Sequence, residues 1–478
     1  MKIITKKDLI KISDYIWEIP KEFRDDMQVP ARVFADEKML DDILEDKSLW
    51  QLTNVTTLPG ICGYALAMPD VHEGYGFCVG GVAAFDYDEG IISPGGIGFD
   101  INCGVRLLVS DLYYYEVKDK IHKLTEEIFN HVPSGVGRGG SWKLNNQEMQ
   151  KVLEKGAEYI YELGYAEKED LEATESFGKL ENAEADTVSK TAKDRGRDQL
   201  GTMGAGNHFV EVQKIEEIYD EEIAKKIGLE KNKISVLIHC GSRGLGHQVC
   251  SDYVREFLKD IDRKSIKLVD KELAYGNFHS DLGQRYFKAM NSAANFAWAN
   301  RQMIAYYLRK AFKKVFGKEI NLRQIYDVAH NIAKIEEYGG KKLIVHRKGA
   351  TRAFWKNSLE LNEKYRKIGQ PTLIPGSMGT SSYILIGQEL SKELSFGSAP
   401  HGAGRIMSRT EAKRKIRGSE LKKDLEKRGI SVMVGSLSGL AEEAPDAYKD
   451  VVEVVEVIDK IGIAKKLAKL IPLGVIKG

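Results

Sequence analysis

Apolar residues recur at helical spacing in seven stretches of the chain, at 37–49, 116–130, 147–164, 246–259, 281–316, 408–427 and 446–470. A period of this kind predicts helices that each bury one face. The longest, Asp281–Phe316, carries Tyr286, Phe287, Phe296, Trp298, Tyr306 and Tyr307, which read as core contacts. Strand-like apolar runs lie at Ile234–Ile238, Lys342–Val345, Thr372–Ile374 and Tyr383–Ile386. Helices and strands mix without a regular βαβ rhythm. The fold class expected is therefore α+β, with no doubly wound sheet and with residues 1–478 forming one mixed domain. Region 165–200 departs from the pattern. It is polar and acid-rich, then basic at Lys193, Arg195 and Arg197, and is expected to be an exposed helical insertion. No run of about 18 apolar residues occurs, so no membrane span is expected. The opening MKIITKKDLIKISDY lacks the apolar segment of a signal peptide.

Composition adds three constraints. Lys and Arg number 71 against 70 Asp and Glu, a formal charge of +1, so a polyanion must be held by a local patch. The 46 glycines cluster in short runs, as in loops where backbone approaches a ligand. The five cysteines (Cys62, Cys78, Cys103, Cys240 and Cys250) are odd in number and scattered. That argues against a disulfide scaffold, fits a reducing cytoplasm and leaves thiols free for metal.

Several glycine-rich clusters share one form, an apolar run followed by a ligand-type residue beside a small one. GGIGFDINCGVRLLV gives Asp100 and Cys103, and GTMGAGNHFVEV gives Asn207, His208 and Glu211. ISVLIHCGSRGLGH gives His239, Ser242 and Arg243, IYDVAHNIAK gives His330 and Asn331, and FGSAPHGAGRIMSR gives His401 and Arg405. Carboxylate, thiolate and imidazole together suit a borderline transition metal such as zinc or manganese better than magnesium or calcium. Taken singly, each residue also has a plain structural reading: a buried histidine after a strand, a small buried Cys103, an Asx turn at Asp100.

No GxxxxGK[ST] sequence is present, which argues against a P-loop. GVGRGG at Gly135–Gly140 fits GxGxxG only formally, since no strand precedes it, and suits a loop that contacts a phosphate backbone. Lys-x-Asp-Gly is also absent, so nucleotide transfer would need another nucleophile. His401, among small neighbours and close to Arg405, is the candidate. Arg405–Arg428 holds ten Lys/Arg and four Asp/Glu, either a solvated helix face or a track for a phosphate backbone.

Together these clusters resemble the RtcB family of RNA-splicing ligases. The resemblance also takes in PDVHEGYGF with Asp70 and His72, VHRKGATRAF, LIPGSMGTSSYIL and the terminal IPLGVIKG, and covers nearly the whole chain. It implies a cytoplasmic, GTP-dependent RNA ligase with two Mn²⁺ ions, acting in tRNA splicing and RNA repair. Such an enzyme joins a 3′-phosphate or 2′,3′-cyclic phosphate end to a 5′-hydroxyl end. By motif, Asp100, Cys103 and His208 would hold one ion, and Cys103, His239 and His330 the other. His401 would attack GTP and carry GMP, which then passes to the RNA 3′-phosphate. The guanylate pocket would draw on Asn207, His208, Phe209, Val210, Glu211, His330, Asn331, Pro375, Gly376, Ser377, Met378, Ser382, Gly402, Ala403, Gly404, Tyr448 and Lys477. The resemblance also suggests an archease-type activator protein. The chain departs from the common family pattern at Cys78, Met203, Ala205 and Ala399-Pro400, none of them a ligand. Two other readings remain open: a dinuclear-metal phosphoesterase or nuclease, in which the same ligands activate water, and an RNA-binding protein that uses the 405–428 face.

Overall fold

The computed structural model describes residues 4–135 and 137–478. Val136, inside the Gly135–Gly140 run, lies outside the described residues, as does the start of the opening segment. Two large, mostly antiparallel sheets organise the chain. One has seven strands in the order 10–13, 16–19, 31–34, 61–72, 79–86, 341–348 and 331–338. In the other, strands 322–329, 104–113, 233–240, 209–218, 464–477, 382–387 and 371–374 follow one another, and 431–434 pairs in parallel with 464–477. Antiparallel pairing dominates both, which makes the fold α+β and not doubly wound.

The second sheet is covered on both faces. Val105, Leu107 and Leu237 pack into one core, while Leu108, Val236 and Ile238 pack into another. Burial on both faces makes Gly104–Tyr113 read as a continuous apolar run instead of an alternating one. Helix Asp281–Phe316 has the expected bounds. Ser280 caps its start by accepting from the Gly283 amide, and Gly317 ends it with φ +70°. The predicted strands lie within Lys233–Cys240, Lys341–Lys348, Pro371–Ile374 and Ser382–Gly387.

Several expectations need correction, among them the helix over 37–49, which is Glu37–Ile43 and Ser48–Val55. The helix expected over 446–470 stops at Ile461, where Gly462 turns left-handed, and Ala464–Lys477 is a strand. Register shifts at Lys469/Leu470 and Pro472/Gly474 break the strand's alternation, so its apolar residues imitate a helical period. The pattern at 147–164 is two helices, Asn146–Lys155 and Ala157–Glu162, hinged at Gly156 with φ +57°. Region 165–200 has short helices but is stitched into the fold. Buried Asp170 pairs with Arg309 at 2.6 Å, and buried Glu175 pairs with Lys334 at 2.6 Å.

Candidate active site

Strand ends from both sheets converge on one cleft of about 1090 Å³. Cys103 precedes strand Gly104–Tyr113, His208 precedes Phe209–Ile218, His239 lies near the end of Lys233–Cys240, and His330 joins Leu322–Ala329 to Asn331–Tyr338. Adjacent strands thus deliver ligands that are far apart in sequence. Cys103 Sγ lies 3.4 Å from His208 Nε2 and 3.3 Å from His239 Nε2, and His239 Nε2 lies 3.3 Å from His330 Nε2. Asp100 Oδ2 is 2.7 Å from His208 Nε2. Two donor sets result, Cys103–His239–His330 and Asp100–Cys103–His208, with all donor atoms of each set within 4.8 Å of one another. Sulfur and nitrogen donors around one tetrahedral ion lie roughly 3.5 Å apart at ordinary bond lengths.

The surroundings fit a cation. His208 Nδ1 donates to the Met203 carbonyl at 3.0 Å, which leaves Nε2 to face Cys103 and Asp100. Burial, with the nearby Asp100 charge adding to it, pushes the Cys103 thiol up to about 12, so a metal would have to displace its proton. Burial opposes the Asp100 carboxylate, but the His208 charge and hydrogen bond outweigh it and hold its pKa below the ordinary value. Gly241 leaves no space for a Cβ beside that carboxylate.

A buried arginine ties these ligand loops together. Arg301 is fully buried and donates through Nη1 to the carbonyls of Asn102 and Cys240, at 2.8 Å each. Its Nε and Nη2 form a fork on Asp327 at 2.9 and 2.8 Å, three residues before His330. Asn102 adopts φ +53°, a left-handed conformation that asparagine tolerates, and its amide donates to the Ala294 carbonyl at 2.7 Å.

His401 stands beside the Cys103–His239–His330 set, its ring 5.0 Å from that of His330. Its Nδ1 donates to Asp70 Oδ2 at 2.6 Å, and the same oxygen accepts from the backbone amides of His401 and Gly402 at 3.0 and 3.3 Å. Gly404, at φ +77°, lets the loop press against the Asp70 backbone. Beyond it, Arg405 stacks 4.9 Å from the Tyr448 ring and pairs with Glu443 at 3.2 Å, and the Tyr448 hydroxyl donates to Glu443.

Most candidate residues line this cleft. His208, Val210, Glu211 and Ser382 do not; they are buried outside its wall. Glu211 accepts from Gln213 Nε2 at 2.6 Å, and Gln213 also donates to Ser382 Oγ at 3.0 Å. Burial raises the Glu211 carboxyl to about 8. Asn331 lines the cleft but commits its amide to backbone, donating to Asp100 O at 3.1 Å and accepting from Gly349 N at 2.9 Å. Lys477 reaches the cleft and donates to the His208 carbonyl at 3.0 Å, and burial brings its pKa down to about 8.

The 405–428 segment forms helices Arg409–Lys415 and Gly418–Lys427. Many of its cations pair with carboxylates, as in Lys413–Glu442 at 2.6 Å and Lys415–Glu411 at 2.7 Å, which favours a solvated face. Sequence reasoning missed the orienting role of Asp70 and the Arg301–Asp327 clamp. The one signal for Arg301 was a charge inside the apolar run AANFAWANRQ.

The chain matches the tRNA-splicing ligase RtcB family over residues 51–478. It is 51% identical over 477 residues to a protein named tRNA-splicing ligase RtcB from Archaeoglobus fulgidus, covering 98% of this chain and 99% of that one. A protein of the same name from Nanoarchaeum equitans is 52% identical over 478 residues, with 98% and 99% covered. A third, from Methanococcus maripaludis, is 47% identical over 480 residues, with 99% and 100% covered. No helix among the described residues is long and apolar enough to cross a membrane.

Proposed function

The chain belongs to the RtcB family, and on that premise we propose that it is a cytoplasmic, GTP-dependent RNA ligase acting in tRNA splicing and RNA repair. It would join RNA 3′-phosphate or 2′,3′-cyclic phosphate ends to 5′-hydroxyl ends. The observation that carries this reading is His401, oriented by Asp70 next to two donor sets that share Cys103. A water-activating phosphoesterase would need no guanine pocket beside that histidine.

Asp100, Cys103 and His208 would hold one Mn²⁺, and Cys103, His239 and His330 the other. Bound there, the ions supply positive charge to phosphate oxygens. Asp70 is acceptor-only as a carboxylate, so the His401 proton sits on Nδ1 and Nε2 keeps its lone pair. Nε2 would attack the α-phosphorus of GTP and release pyrophosphate, leaving GMP on the histidine. The RNA 3′-phosphate would take up GMP, and the 5′-hydroxyl would then displace it. Glu211 would accept from the guanine N1–H and N2–H, once its contact with Gln213 opened and its carboxyl lost a proton. Lys477, Arg405 and Tyr448 would complete the nucleotide's surroundings. An archease-type protein would be the activator.

The test is incubation with α-labelled GTP and Mn²⁺. Acid-labile, base-stable label on the protein is expected, and none on His401→Ala. Absence of label, or equal label on the variant, defeats this reading.

A further inference from the structure

Asp70, which accepts from His401, lies where the sheet does not hold its own strand. Strand Ile61–His72 pairs with Val79–Asp86 as far as Ala67↔Gly81 and again only at His72↔Val79. With Ala31–Phe34 it pairs over Ala65–Ala67 alone. Residues 68–71 therefore run through a break in both ladders, and Pro69 has no amide hydrogen to offer. Backbone carbonyls buried in such a break need donors from elsewhere.

One lysine supplies them. Lys449 Nζ donates to the Pro69 carbonyl at 3.0 Å and to the Val71 carbonyl at 2.6 Å, the two that bracket Asp70. Its backbone amide donates to the Gly404 carbonyl at 2.9 Å, and the Ile406 amide donates to the Ala447 carbonyl at 2.9 Å. The segment that carries Tyr448 thus lies antiparallel to the loop that carries His401. Lys449 joins that loop through its backbone and the Asp70 strand through its side chain. The Asp70 side chain is fully buried. Its Oδ2 takes three donors, while Oδ1 has no hydrogen-bond partner among the described residues. A carboxylate buried in this way needs a counter-charge, and a His401 with a free Nε2 lone pair carries none. Burial brings the Lys449 pKa down to about 8, and the Asp70 charge is the foremost influence opposing that fall.

We propose that Lys449 is a positioning residue for the nucleophile: its ammonium fixes the backbone on either side of Asp70 and gives the carboxylate its counter-charge, which keeps the His401 proton on Nδ1 and the Nε2 lone pair free. The proposal rests on the ligase reading only for what His401 attacks. Lys449 touches His401 nowhere; it acts through Asp70. Because it follows Tyr448 directly, it also links the segment expected to meet the guanine with the carboxylate that orients the nucleophile.

The test compares Lys449→Met, which keeps the stem without the charge, with Lys449→Arg. The first readout needs no GTP. In the full chain loaded with Zn²⁺, which is diamagnetic, nitrogen-15 NMR of labelled histidine reports each ring's tautomer, and His401→Ala identifies the signal. The unsubstituted protein is expected to show a single Nδ1–H tautomer at His401, and Lys449→Met a mixture of both tautomers. Lys449→Arg should return to one. The second readout is single-turnover labelling with GTP and Mn²⁺. Lys449→Met is expected to slow labelling about ten- to a hundredfold with guanosine affinity unchanged, and Lys449→Arg to recover most of the rate. Should Lys449→Met unfold, Lys449→Gln, whose amide still donates to a carbonyl but carries no charge, takes its place with the same expectations. An unaltered His401 signal, an unaltered labelling rate, or a loss of guanosine affinity as large as the loss of rate would each overturn the proposal. The two readings fail separately. Absence of label on the unsubstituted protein defeats the ligase reading, whereas the tautomer comparison decides the role of Lys449 without GTP.

Discussion

The Asp70 carboxylate and His401 are 331 residues apart in the chain and 2.6 Å apart in the fold. Two backbone amides grip the same Asp70 oxygen, so the carboxylate cannot turn away from the ring. Attack through Nε2 would make the imidazole cationic, and Asp70 would be the charge facing it. Asp70→Asn retains shape and loses that charge. Guanylylation of His401 is expected to slow by about 10²–10⁴-fold while the fold persists. Rapid-quench labelling with GTP measures the rate, and near-ultraviolet circular dichroism monitors the fold. An unchanged rate would contradict the orienting role.

Sharing of Cys103 makes an asymmetric prediction. Cys103→Ala removes a donor from both sets and should lose both metals, whereas His208→Ala removes one donor from one set and should mainly weaken one. Metal analysis after gel filtration reads this directly. Full metal content in Cys103→Ala would rule out a bridging sulfur.

The Arg301 clamp predicts a separation of stability from metal binding. Arg301→Leu leaves buried Asp327 to Arg106 alone, at 2.7 Å, and deprives the Asn102 and Cys240 carbonyls of their donor, and should cost about 1–3 kcal/mol in urea unfolding. Arg301→Lys keeps the charge without the fork, so it should recover part of that stability. It should still bind Mn²⁺ more weakly, because the carbonyls of Asn102 and Cys240 are no longer held together. Wild-type Mn²⁺ affinity in Arg301→Lys would show that the clamp does not position the ligands.

Legibility of the site in the sequence followed locality. Asp100, Cys103, His208, His239 and His401 each sit in a glycine-rich motif, His330 follows the apolar run IYDVA beside a small alanine, and the motifs could be read one at a time. Their grouping into two donor sets depends on strand order, which hydrophobic periodicity does not encode; the family resemblance supplied it. Asp70 and Arg301 act across long sequence separations, with only a carboxylate in PDVH and a charge in an apolar helix to mark them. The terminal strand was read as helix because its bulges disguise its alternation. Glu211 was expected to face the guanine, yet Gln213 and Ser382 hold it behind the wall, a detail set by side-chain packing.

That buried Glu211 gives the molecule a pH signature. Burial raises its carboxyl to about 8 from an ordinary 4.5. Between those values the folded state keeps the proton and the unfolded state has lost it. Stability from this group is therefore present in acid and declines as pH rises toward 8, by roughly 1.4 kcal/mol per unit. Glu211→Gln should remove that decline from the thermal unfolding profile. Guanine binding should run the opposite way, because accepting from N1–H and N2–H requires the carboxylate. Affinity for the base should climb with pH, up to about tenfold per unit, and level off above 8. Guanosine is the proper probe. Lys477, lowered to about 8 by burial, would act on GTP phosphates in the same window with the opposite sign. Calorimetry in two buffers of different ionisation enthalpy should detect one proton released per guanosine below pH 8, and none for Glu211→Gln. Binding without proton release in the wild-type protein would mean that Glu211 does not meet the guanine.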